Sequence, residues 1–116
     1  MVAISPVILD RARQVMEVLS RQATVRGLFV FGSQVSGAPD DCSDIDLAAF
    51  VDEAETWSLE RRVRAIVDVQ REAGDDLDVH FFPARFMQDA LSGSFAEFVM
   101  REGVEVEVSK AKRSMT

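Results

Sequence analysis

The 116 residues predict an α+β domain with one short, mixed sheet and helices packed against it. Three observations carry this. Two long segments repeat apolar residues at helical spacing. Three short runs have the length of strands, the first closed by Gly32 and the third by Pro83. No repeat, low-complexity stretch or linker divides the chain, whose length fits a single core burying roughly two thirds of the unfolded surface.

Ser5-Pro6 reads as a helix start, serine as cap and proline in the first turn. Ile8, Ala12, Val15, Met16, Leu19 and Ala23 then form one stripe, a helix of about five turns. Leu28-Phe29-Val30-Phe31 is a continuous apolar run that reads as a doubly buried strand. Gly32-Ser33 closes it, and residues 34–43 read as a short helical turn and a loop. Asp44 to Val51 is the second strand. Trp57 to Ala73 is the second long helix, with Leu59, Val63, Ile66, Val67 and Gln70 near one face and Gly74 as its terminator. Asp76 to Phe82 alternates as a third strand: Leu77, Val79 and Phe81 on the apolar face, Asp76, Asp78, His80 and Phe82 on the other. Pro83 stops it. A last helical region runs from Arg85 to Glu102, with a breaking point at Ser92-Gly93 and Phe95, Phe98 and Val99 as its core face. Val104 to Val108 reads as a final short strand. The domain is expected over 1–109, with 110–116 a polar, mobile tail.

Composition narrows the function classes. The apolar fraction of 47% and charged fraction of 28% are those of an ordinary globular domain. A single cysteine leaves no internal disulfide, and no apolar run approaches the roughly 20 residues a bilayer span needs. With no signal-peptide pattern at the start, the cytoplasm is the expected compartment and no membrane partner is expected. The net charge of −7 argues against direct nucleic-acid binding. A polyanionic substrate would need a divalent cation or a nest of backbone N–H groups.

Asp44 and Asp46, two apart on a strand, point to one face with Cα atoms roughly 6.5 Å apart. Without a cation they would repel by about 2–3 kcal/mol at an effective dielectric near 20. Their oxygens suit Mg²⁺, or Mn²⁺. If the third strand lies beside the second, Asp78 joins them, and three carboxylates around two metals can support in-line attack on phosphorus. Gly32-Ser33, at a strand-to-helix turn, offers close backbone approach, free N–H groups and a hydroxyl to an anion. Alone, each piece has a plainer reading: a turn, a solvated strand edge, the polar face of an edge strand.

Phe31-Gly32-Ser33, ten intervening residues, then Asp44-Ile45-Asp46-Leu47 resembles the signature of the DNA-polymerase-β-like nucleotidyltransferase superfamily, in particular its minimal (MNT) branch. The resemblance extends from about Val25 to Val106 and takes in Phe98 to Val104. It implies the palm-like nucleotidyltransferase fold. It also implies a triphosphate, ATP by preference, held by Gly32 and Ser33. Asp44, Asp46 and Asp78 would be the catalytic, metal-binding carboxylates, with Asp78 assisting deprotonation of the acceptor. Many members carry a basic residue where this chain has Ser36; Arg85 or an arginine from a partner is the candidate replacement. Minimal members are often antitoxins of helical HEPN-type toxins, and some transfer AMP to a toxin tyrosine. A HEPN-type partner is therefore expected, with a homo-oligomer as a further option. The alternatives are a catalytically silent partner-binding antitoxin and a nucleotide-sensing module.

The remaining residues carry less. His80, the only histidine, reads as a polar strand residue, or else as one that orients Asp78 or touches substrate. Cys42 is incidental, since its acidic neighbours disfavour a thiolate. Trp57 packs at the helix start, base stacking being the lesser option. Arg61, Arg62 and Arg64 read as a solvated face. Phe86, Phe95 and Phe98 read as core, with any apolar surplus there available to a partner.

Overall fold

The computed structural model describes residues 5–32 and 45–106. Expectations for Ser33, Ser36, Cys42, Asp44 and the C-terminal tail fall outside those residues. Helix α1 spans Pro6–Ser20, and the Ser5 hydroxyl accepts the Ile8 N–H at 3.2 Å, as its cap position predicts. At 15 residues it has about four turns, one fewer than expected. Ala23 lies beyond it, yet still packs against the core.

Strands β1 (Val25–Phe31), β2 (Ile45–Val51), β3 (Leu77–Pro83) and β4 (Val104–Glu105) form one sheet in the order β3-β2-β1-β4. The β1/β2 and β1/β4 pairs are antiparallel and β2/β3 is parallel, so the sheet is mixed. A parallel pair needs a long crossover. Here it is a 3₁₀ turn at Ala54–Thr56 followed by helix α2, Leu59–Ala73, capped by the Ser58 hydroxyl on Arg61 N–H. The last helical region is two helices, α3 (Phe86–Asp89) and α4 (Phe95–Glu102), interrupted around Ser92-Gly93.

Strand alternation divides the sheet into two faces. Leu28, Val30, Ile45, Leu47, Ala49, Val51, Leu77, Val79 and Phe81 join α1 and α2 in the larger core. Phe29, Phe31, Ala48 and Phe50 form a second cluster with Ala96 and Val99 of α4, flanked by Phe82, Phe86 and Met87. The result is an α+β palm-like architecture with helices on both sides of the sheet.

The structure corrects two predicted faces. Helix α2 buries Ala65, Val69 and Ala73, whereas Leu59 is 76% exposed and Val63 49%. Small residues four apart let the helix lie close to the sheet. Arg62 and Gln70 flank that contact, donating to the main-chain oxygens of Ala54 (2.7 Å) and Leu77 (3.1 Å). In α4 the buried pair is Ala96 and Val99; Phe95 and Phe98 are 46% and 42% exposed. Of Arg61, Arg62 and Arg64, two are not simply solvated. Arg61 stacks over Trp57 at 4.2 Å and donates to Gln22 O, and Arg62 holds the 3₁₀ turn. Arg64 is exposed, 3.9 Å from Glu60. Trp57 packs on Phe81 within the larger core.

Candidate active site

β1 ends at Phe31, whose register partner is Asp46 near the start of β2. Asp46 is in turn the register partner of Asp78 near the start of β3. Two carboxylates thus sit side by side on neighbouring parallel strands, on the face opposite the larger core. The same alternation that buries Leu77 and Val79 leaves Asp78 and His80 on this face.

Gly32, directly after β1, has φ +82°, a backbone conformation that side chains rarely adopt. A Cβ there would collide with the Asp46 carboxylate. The glycine therefore lets the backbone lie in contact distance of that carboxylate. Ser33 and Asp44, the other two predicted members, lie outside the described residues.

His80 joins the two aspartates. Its Nε2 lies 3.5 Å from Asp78 Oδ2, and one donor atom from each of Asp46, Asp78 and His80 falls within 4.8 Å of the others. The imidazole rests against two rings, Phe31 and Phe95, each 5.7 Å away between centroids. Asp46 is half-buried, Asp78 exposed and His80 half-buried, so the cluster is open to solvent on one side. Hard carboxylate oxygens gathered at this spacing fit a divalent cation.

A brace behind the cluster was not anticipated from sequence. The Arg11 guanidinium of α1 forms a two-point ion pair with Asp76, one contact being Nη1 to Oδ2 at 2.9 Å, and also donates to Ala73 O at 3.0 Å. Asp76 O accepts the Ile45 N–H at 2.9 Å, which ties the starts of β2 and β3 together. The hydrogen bond from Arg11 holds the Asp76 carboxyl below its ordinary value. The available signal was an arginine at the margin of the α1 apolar stripe, between Ile8 and Val15.

Arg85 does not replace the missing basic residue within this chain. It follows the far end of β3, about 16 Å of strand beyond Asp78 by the usual rise. There its guanidinium pairs with Glu55 at 2.5 Å.

A family model described as polymerase beta, nucleotidyltransferase matches residues 13–106. The chain belongs to this nucleotidyltransferase family. The matched span contains the whole sheet, the Gly32 turn and the Asp46–Asp78 pair. No curated protein matches the chain. Nucleotidyltransferases of this kind usually work with divalent metal, and the Asp46, Asp78 and His80 donors form a group able to hold one. Among the described residues no helix is long and apolar enough to cross a membrane.

Proposed function

We propose that this nucleotidyltransferase moves AMP from ATP to a hydroxyl, the acceptor being a tyrosine of a helical HEPN-type toxin that it thereby neutralises. The observation that carries the reading is the in-register Asp46–Asp78 pair beside the Gly32 turn. The assignment of AMP, tyrosine and toxin rests on the resemblance to minimal family members.

In this reading Gly32 and the Ser33 hydroxyl receive the triphosphate. Asp44, Asp46 and Asp78 hold Mg²⁺ or Mn²⁺. A divalent ion there would offset charge on the phosphate oxygens. Asp78, the more exposed carboxylate, takes the proton of the acceptor hydroxyl. The freed oxygen attacks the α-phosphorus in line, the bond from that phosphorus to the bridging oxygen breaks, and diphosphate leaves. Half-exposed Phe95, which packs edge-on against His80, and Phe98 stacked on it support a protein acceptor rather than a small polar one.

The test is incubation of the chain, its partner toxin and α-labelled ATP with either metal. Label on a partner tyrosine, lost in a folded Asp46→Asn variant, is the expected result. No transfer by the wild type with any of the four ribonucleoside triphosphates would overturn it. A second reading, a silent antitoxin that acts by covering its partner, draws on the same exposed aromatic residues. It predicts that Asp46→Asn still neutralises the toxin.

A further inference from the structure

We infer that His80 is itself a metal ligand, making the site a mixed oxygen–nitrogen one that favours Mn²⁺ over Mg²⁺. This rests on the reading of Asp46 and Asp78 as metal-holding carboxylates and adds a residue to it.

Four observations converge on His80. It lies two positions after Asp78 on β3, so both side chains leave the same face of the strand. Its register partner on β2 is Ala48, a fully buried residue whose methyl leaves the imidazole room to lean along the sheet toward Asp46. The ring is held by Phe31 and by Phe95 edge-on, which fixes its plane without using its nitrogens. Finally, the donor atoms of Asp46, Asp78 and His80 all lie within 4.8 Å of one another. Donors on one ion with bonds of about 2.1 Å sit at most about 4.2 Å apart. The remaining gap is one that a small side-chain rotation closes.

The chemistry of the donor set then sets the preference. Mg²⁺ takes oxygen ligands and retains water, whereas imidazole nitrogen is a good ligand for first-row transition ions. An imidazole that takes a water's place beside the two carboxylates adds affinity for Mn²⁺ while doing little for Mg²⁺.

Because His80 is the only histidine, the ligand can be read directly. Mn²⁺ is added to the full chain with inorganic tripolyphosphate, which contains no nitrogen, and the bound ion is examined by pulsed electron paramagnetic resonance. A directly bound ¹⁴N coupling that changes to ¹⁵N in protein labelled only at histidine is expected, and it disappears in His80→Gln. The same variant should lose roughly tenfold or more in Mn²⁺ affinity while Mg²⁺ affinity, measured by competition, changes by less than about threefold. Asp78→Asn serves as the control that weakens both ions. Bound Mn²⁺ without nitrogen coupling in the wild type, or equal losses for both ions in His80→Gln, would overturn the inference while leaving the carboxylate site standing. A folded wild type that binds neither ion would overturn both.

Discussion

The Asp46 carboxylate occupies the space that a side chain on Gly32 would need. Gly32→Ala therefore has two effects at one position. The left-handed backbone costs about 1–2 kcal/mol for a residue with a Cβ. The new methyl also displaces the Asp46 carboxylate, a member of the proposed metal site. Urea unfolding should show that modest loss, and calorimetric titration with Mg²⁺ and ATP should show binding abolished in a protein that remains folded. Normal binding by the variant would remove Gly32 from the site.

Asp46 and Asp78 are cross-strand neighbours of like charge. Such pairs are destabilising by a few tenths of a kcal/mol to about 1 kcal/mol. Asp78→Asn should raise the melting temperature in chelator. It should also cancel the rise that millimolar Mn²⁺ gives the wild type, since an ion stabilises only the form that binds it. The two melting curves, with and without metal, should cross over between wild type and variant.

The Arg11–Asp76 pair supplies a pH test. The folded Asp76 carboxyl titrates below its ordinary value of 3.8, chiefly because of the hydrogen bond from Arg11. Its contribution is therefore present above pH 3.8 and is lost as pH falls through the folded value. The carboxylate is partly exposed, so the contribution is at most about 1 kcal/mol. Arg11→Met should be less stable than wild type at pH 7, and the gap measured by urea unfolding should narrow on acidification toward pH 3.

The two faces of α2 can be told apart by substitution. Val63→Asp, on the exposed side, should change stability by about 0.5 kcal/mol or less. Ala65→Leu, directed into the tight contact with the sheet, should cost about 1–3 kcal/mol. Thermal unfolding of the two variants decides whether Ala65, Val69 and Ala73 are the packing seam.

Most of the sheet was legible because β1 and β3 are bounded by punctuators: Gly32 after β1, Gly74 before β3 and Pro83 at its end. The parity of β3 was also legible, since Leu77, Val79 and Phe81 alternate cleanly with Asp78 and His80. The neighbourhood of Asp46 and Asp78 was conditional on strand order, which periodicity does not encode; the parallel β2/β3 pairing supplies it. The α2 face was misread because Leu59, Val63 and Val67 are also spaced at helical intervals. Size decided between the two stripes: alanines permit close approach, and the larger residues were left outside. In α4, likewise, the bulk of Phe95 and Phe98 suggested burial, but Ala96 and Val99 occupy the seam. The Arg11 brace joins residues 65 positions apart, beyond the reach of any local pattern.

The division of the sheet into a core face and a chemical face makes the protein unusually sensitive to arithmetic. Along β2 and β3, odd positions feed the larger core in Ile45, Leu47, Leu77 and Val79, and even positions present Asp46, Asp78 and His80. Inserting or deleting a single residue near the start of either strand would exchange those roles, driving carboxylates inward and aliphatic side chains out. Length changes within these strands are therefore disruptive. The even positions are bound to a core as well, since Ala48 and Phe50 lie in the second apolar cluster and His80 packs on Phe31 and Phe95 beside it.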